Sequence, residues 1–386
     1  MKRQYKIISL FLIAVFSVLL LSSCERAGTE LSDLMIIQGI AIDYKDGAYT
    51  VTVEILNNEQ SGSPSGESGS DNKTKIYTST AATVSKALRS ITTESGNLPL
   101  FAHNRVIILG EDTLDKDLLD VLDFFIRDYD SRPSQLLCVA KGDSAENVIR
   151  AKLLNDSVKC EILGNLLEES YKLSLCPEVR LIDAVNYLKE ETSGLLIPAI
   201  IVEENGENQN FSLDGCAVID RNNTFSKYIS GNISKGVSFL NDTVEKGVIA
   251  TEISDKKATL LVLDSKTYYK IEETDNNLHY KLKVKITCEL DELEGTDEFN
   301  SGEETIQLLK ASVSKQITKE MENTFNNVKN ETGVDVFRFG KRLRNSNNPL
   351  YQQCKGDWDN RFKNISLSVK IEVSLKSIGE ETFQQS

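Results

Sequence analysis

Apolar and polar positions alternate with two different periods along the chain, and the change of period marks its elements. The stretch LMIIQGIAIDYKDGAYTVTVEIL, Leu34 to Leu56, reads as two strands joined at Asp46-Gly47, a strong hairpin signal. In the second arm Tyr49, Val51, Val53 and Ile55 share one face and Thr50, Thr52 and Glu54 the other, so one side is expected to be buried and one wet. Val84, Ala87, Leu88 and Ile91 then follow helical spacing, with Gly96 beyond the end. Val106–Leu109 is a short buried strand, Leu114, Leu118, Leu122 and Phe125 mark a helix, and Gln135–Ala140 is a third strand-like run. Helical patterns follow at Ile162–Leu173 and, after Pro177, at Leu181, Ile182, Val185 and Leu188.

The polar segment VEENGENQN, Val202 to Asn210, is the best domain boundary by composition, and LDGCAVIDRNNTFSKYIS beyond it reads as a further hairpin. Leu282, Val284, Ile286, Cys288 and Leu290 alternate with polar residues, and Ile306, Leu309, Val313, Ile317, Met321 and Phe325 stripe a long helix over 302–330. Ile365 to Leu375 forms a last alternating strand, so this end reads as a helix lying across one face of a sheet whose other face is open. The fold class is mixed α/β (α+β): successive domains, each a mixed or antiparallel sheet packed with helices. Composition sets a first domain over 24–202, with at least one more beyond residue 210. The Ser- and Gly-rich residues 59–72 read as a disordered loop.

At the N-terminus Lys2, Arg3 and Lys6 precede an apolar run, Ile7 to Leu21, shorter than the ~20 residues of a membrane span. Leu21, Ser22, Ser23 and Cys24 follow and resemble a bacterial lipobox, with residues 1–23 as signal peptide and Cys24 as the lipidation site. Two plainer readings are a secretory signal with a chance cysteine and a short transmembrane anchor. Cleavage before Cys24 deletes three basic and no acidic residues and takes the net charge from −14 to about −17. An acidic chain of this kind speaks against nucleic acid as a partner, and against adhesion to anionic lipid by charge alone. The other cysteines, Cys138, Cys160, Cys176, Cys216, Cys288 and Cys354, form no C-x-x-C pair and stand where small apolar residues would serve, so they read as buried free thiols.

The usual catalytic motifs are missing from this sequence: it holds no G-x-S-x-G, phosphate-binding loop, dinucleotide fingerprint, H-E-x-x-H or EF-hand loop, and only His103 and His279 could supply imidazole. No cofactor and no metal is expected. Three charged clusters remain as candidate partner-facing patches. FAHNRVIILGED carries His103, Asn104, Arg105 and Glu111 at the two ends of a buried strand; RDYDSR packs Arg127, Asp128 and Arg132 after a helix; GKRLR brings Lys341 and Arg342 together. The plainer reading of the first two is a local ion-pair network holding a turn, and of the third a solvated turn. Trp358, with Tyr351, Phe337, Phe339 and Phe362, reads first as the core of a domain end, and is kept as a partner-facing candidate.

In order, GIAIDYKDGAYTVTVEIL, LPLFAHNRVIILGED, VLDFFIRDYDSRPSQLLCVAKGDSAENVI, LDGCAVID, VDVFRFGKRLRNSNNPLYQQCKGDWDNRF and the closing strand ending at Ile378-Gly379 resemble the lipoprotein C subunits of spore nutrient germinant receptors, the Ger(x)C family. The chain departs from the family pattern at Glu25-Arg26, at Ile233 where a glutamate is usual, at Arg338 where the family has glycine, and at Tyr351 in place of tryptophan. The resemblance implies three successive α/β domains, with a break near Asp264 that divides a middle subdomain over 210–263 from a C-terminal domain over 264–380. It also implies a non-enzymatic subunit, held to the outer face of the inner spore membrane by diacylglycerol on Cys24, which assembles or couples a receptor with two integral-membrane partners of A and B type. The alternatives are a solute-binding lipoprotein of an ABC importer and a cell-wall hydrolase.

Overall fold

A computed structural model describes residues 34–57, 73–154, 158–275, 277–295 and 303–376. The expected signal peptide with Cys24, the loop over 59–72 and Ile378-Gly379 lie outside the described residues. Strands β1 (Leu34–Lys45) and β2 (Ala48–Leu56) are joined by Asp46 at φ 51° and Gly47 at φ 85°, both left-handed as a two-residue hairpin turn requires. Together with β3 (Thr74–Ala81), β4 (Leu98–Leu100), β5 (Val106–Gly110), β6 (Leu136–Ala140), β7 (Leu195–Asn205), β8 (Asn208–Ile219) and β9 (Phe225–Ile229) they form one mixed sheet in the order β3-β2-β1-β5-β6-β7-β8-β9, with β4 paired to the start of β1. Its centre, β1-β5-β6-β7, is parallel, and antiparallel strands flank it on both sides.

Helices cover both faces of that centre, which is why its strands are apolar without alternation. On one face lie α1 (Val84–Ser95), α2 (Leu118–Arg127) and α5 (Leu181–Leu188); on the other lie α3 (Ala145–Arg150) and α4 (Lys159–Lys172). The second face corrects the expectation of a wet side on β2: Thr52 and Glu54 are fully buried. Glu54 accepts the amides of Lys159 at 3.0 Å and Cys160 at 2.7 Å, supplying the cap that Val158 cannot give to α4. Asp43 does the same for α3, accepting Ala145 N–H at 2.7 Å and Glu146 N–H at 2.9 Å, and burial raises its pKa.

Helix α6 (Gly231–Asn241) leads to a second sheet, β10 (Gly247–Ile253), β11 (Lys256–Thr274), β12 (Asn277–Leu293) and β13 (Ser366–Leu375), in that order. Helix α7 (Glu303–Glu331) buries Leu309, Val313, Ile317, Met321 and Phe325 against it, while Lys281, Lys283 and Lys285 line the open face, as the alternation predicts. The short helices α8 (Phe339–Ser346), α9 (Asn348–Cys354) and α10 (Trp358–Lys363) complete this second domain.

The polar segment Val202–Asn210 is the tip of the β7–β8 hairpin, and hydrogen bonding runs through it without a break. Residues 210–263 give β8 and β9 to the first sheet and β10 and the start of β11 to the second, so among the described residues there are two sheets. Asp264 falls inside β11, at a register shift after Val262. The two domains share a core in which Leu196, Cys216 and Val218 of the first sheet pack with the apolar groups of the second.

All six described cysteines are buried and unpaired. Burial raises each thiol pKa, to about 12 for Cys216 and about 11 for Cys288. The native protein is therefore expected to resist a thiol-disulfide colour reagent, with the six groups reacting together only in denaturant. More than one thiol titrating within minutes in buffer sinks this reading.

Candidate functional site

The backbone brings two of the three charged clusters to one sheet edge. Arg105 N–H bonds Gln38 C=O at 3.0 Å and Leu136 N–H bonds Arg105 C=O at 2.8 Å, which extends the parallel ladder one step ahead of β5 and β6. Buried Phe101 pins the turn before it by an edge-to-face contact with Phe124, ring centroids 5.4 Å apart. His103, Asn104, Arg105 and Arg132 thereby line one polar cleft of about 420 Å³, with Glu161, Glu168, Glu178 and Arg180 across it.

Two ion pairs brace the walls of this cleft. Arg105 Nη2 lies 2.9 Å from Glu168 Oε1 while its Nη1 donates to Asn165 Oδ1 at 3.0 Å, and Arg180 Nη2 lies 2.8 Å from Glu178 Oε1. His103 is exposed, as is Arg132. Asn104 differs from its neighbours: it is 4% exposed, and neither atom of its carboxamide has a hydrogen-bond partner among the described residues. Each buried polar atom left unpaired costs about 1–3 kcal/mol, so this amide weakens the fold unless something else satisfies it.

The remaining candidates lie elsewhere. Glu111 sits at the far end of β5 and accepts Gly142 N–H at 3.1 Å. Arg127 turns back to Asp123, 2.8 Å away on its own helix. Asp128 is held by the amides of Asp130 and Ser131, and burial raises its pKa. With Arg127 it borders a separate cleft of about 430 Å³ between α1 and α2, so RDYDSR is divided between two sites.

Lys341, Arg342 and Trp358 are used inside the chain. Arg344 Nη2 lies 2.8 Å and Lys341 Nζ 3.9 Å from Glu190 Oε1, just after α5, while Lys355 Nζ lies 3.0 Å from Glu191. Arg342 lies over the Tyr269 ring at 3.7 Å and donates to Asn241 C=O at 3.0 Å. GKRLR is thus a clamp between the two domains. Its acidic counterpart Glu190-Glu191 looks like a solvated helix end in the sequence, and only its complementary charge hints at the pairing. Trp358 is 1% exposed and donates its indole N–H to Asp335 at 3.1 Å, which makes it core. His279 bonds Ser366 at 2.6 Å and Ser368 at 3.0 Å on the second sheet, away from His103.

Fold and clefts together define a two-domain mixed α/β protein with polar surface clefts, and no described helix is long and apolar enough to cross a membrane. Comparison with known proteins gives the family. The model for the spore germination protein N-terminal domain matches residues 28–202, and the model described as spore germination B3/GerAC-like, C-terminal, matches residues 214–379. The chain belongs to this GerAC-like family of spore germination proteins, the C-type components of germinant receptors.

It is similar to spore germination protein B3 of Bacillus subtilis (strain 168), 24% identical over 380 residues that cover 97% of this chain and 98% of that one. It is similar also to GerQC of Bacillus cereus, 20% identical over 81% of this chain and 84% of that one. A crystal structure of the GerBC protein superimposes with a TM-score of 0.59 at 22% identity, covering 88% of this chain and 97% of that one, and shares the fold. The first family model ends at residue 202 and the second begins at residue 214, while the first sheet continues across that interval. The alternative of an importer's solute-binding lipoprotein has no support in these matches.

Proposed function

We propose that this protein is the lipid-anchored, non-enzymatic C subunit of a nutrient germinant receptor, which assembles or couples that receptor at the outer face of the inner spore membrane beside two integral-membrane subunits of A and B type. The observation that carries this reading is the ordered match of both family models from residue 28 to residue 379. The anchor rests on Leu21-Ser22-Ser23-Cys24, since two acyl chains on one cysteine hold a protein where a single chain does not.

Geometry favours a membrane-side role for the polar cleft. Leu34 begins β1 ten positions after Cys24, a span of at most about 35 Å. Because β1, β5 and β6 run parallel, Leu34 and the cleft lie toward the same edge of the sheet, the edge that a short tether would hold nearest the membrane.

The test is affinity capture from detergent-solubilised spore membranes, with mass spectrometry of the retained proteins and of the N-terminal peptide. Two integral receptor subunits and a diacylglyceryl Cys24 are expected, and Cys24→Ala is expected to leave the membrane fraction and lose both partners. An unacylated chain, or an acylated one recovered with transporter permeases, overturns the proposal.

A further inference from the structure

We propose that the outer edge of β13 is a self-association surface, on which β13 of a second copy of this chain pairs antiparallel about a two-fold axis at Ile371 and joins the two second-domain sheets into one. The register follows from β13 alone, so the proposal is independent of the anchor and of the receptor subunits.

The backbone of β13 is half used. Among the described residues β13 pairs only with β12, in a parallel ladder that runs from Ser366 to Leu375 without a register shift. Lys376 N–H bonds Cys288 C=O at 2.9 Å, and successive peptide groups point to opposite sides of a strand, so the even-numbered residues face β12. The N–H and C=O groups of Leu367, Val369, Ile371, Val373 and Leu375 therefore point away from the sheet. None of them has a backbone partner among the described residues.

The core is also unfinished at this edge. On β12, Leu282, Val284, Ile286 and Cys288 are at most 2% exposed, whereas the matching row on β13 is half-buried throughout. Helix α7 covers that row from above and leaves its outer side to water. Edges of this length are usually guarded by a proline, a bulge or an inward-pointing charge, and β13 has none of the three.

The sequence of β13 is complementary to itself in one register. Centring an antiparallel pair on Ile371 sets Lys370 opposite Glu372 on both sides of the axis, with Ser368 opposite Ser374 and Val369 opposite Val373. The next register in either direction sets Lys370 against Lys370 or Glu372 against Glu372, and like charges reject it. Within its own chain Glu372 lies 2.9 Å from Lys283 but 3.9 Å from Lys370, which leaves the Lys370 ammonium for the second copy. The centred register uses every outward peptide group, giving about ten hydrogen bonds across the axis, as many as a typical interface holds.

The experiment uses the full acylated chain in excess detergent, with sedimentation velocity across about 1–100 μM and oxidative cross-linking of single-cysteine variants. A dimer is expected to fill with concentration. Facing Ile371 positions in such a pair stand about 5.5 Å apart, within disulfide reach, so Ile371→Cys is expected to trap the dimer. Lys266→Cys, on β11 away from the edge, is expected not to. Lys370→Glu is expected to weaken association about tenfold, because the axis doubles the change from attraction to repulsion, and Lys370→Glu with Glu372→Lys to restore it.

Lys370 is exposed and its variant keeps the fold, so it decides the matter alone if Ile371→Cys does not. A monomer at every concentration, a dimer indifferent to Lys370→Glu, equal trapping by Lys266→Cys, no recovery in the double variant, or a receptor subunit's strand on this edge in place of the second copy each overturns the proposal.

Discussion

Asp335→Ala is expected to lower the unfolding free energy by about 3–5 kcal/mol. Its carboxylate is 3% exposed and gathers four donors: the amides of Phe337 at 3.1 Å, Phe339 at 3.1 Å and Gly340 at 2.9 Å, and the indole N–H of Trp358 at 3.1 Å. Through them it caps α8, fixes α10, and seats Phe337 and Phe339 in the aromatic cluster with Phe325 and Phe362. Its backbone carbonyl meanwhile accepts Gly194 N–H of the first domain at 3.0 Å. Alanine keeps that last bond but leaves four buried donors unpaired, and rearrangement recovers only part of the cost. Urea unfolding with an unchanged slope measures it, and a loss under about 1 kcal/mol would show that the network is dispensable.

The same residue gives this domain a pH dependence. Burial pushes the Asp335 pKa up to about 6, outweighing the four donors that pull it down. The native state then holds a proton that the unfolded chain releases near pH 4, so the contribution is full below about pH 4 and falls as pH rises through about 6. Asp335→Asn, which cannot titrate, should flatten that segment of the stability curve. An identical pH slope in both proteins excludes Asp335 as its source.

Why some of this was legible beforehand and some was not follows from the range over which each pattern acts. The stripe of α7, the alternation of β12 and the Asp46-Gly47 turn are local consequences of local sequence, and each stands where the pattern puts it. Glu54 reads as wet because alternation describes one strand, whereas the helix that buries it begins at Lys159, more than a hundred residues on. A hairpin tip and a linker need the same polar, glycine-containing composition, so Val202–Asn210 marks a family boundary without interrupting the sheet. Lys341 and Arg342 look free until Glu190, Asn241 and Tyr269 arrive from other elements. The convergence of Asn104 and Arg132 needs β5 and β6 to be neighbours, which the α/β pattern allows and does not specify. At Arg338 φ is 58°, left-handed, a conformation glycine adopts freely and arginine holds here with its guanidinium 4.2 Å from the Tyr187 ring, which no local pattern announces.

Gly215→Ala is expected to destabilise the protein by about 2–4 kcal/mol, while the same change at Gly206 costs about 1 kcal/mol. Both glycines are left-handed, at φ 77° and φ 66°, so the backbone penalty is shared. They differ in what an added Cβ meets: open space at Gly206, but at Gly215 the backbone carbonyl oxygen of Ile229, well inside contact distance. That oxygen belongs to β9 backbone and cannot swing aside as a side chain would, so the strand pair itself must move. Register explains why glycine stands there. Pro198 pairs with Cys216 and Ile200 with Leu213, so Asp214 and Gly215 together oppose Ala199 in a β-bulge. Beyond the bulge Cys216 and Val218 face the core shared with the second domain, and Ala217 and Ile219 face the core under α1, α2 and α5. Moving that bulge shifts β8 between two cores at once, so Gly215→Ala should also speed proteolysis at the junction of the domains, where Gly206→Ala should not. Equal midpoints for the two variants in denaturant would mean that β9 yields easily and that the bulge does not set the register of β8.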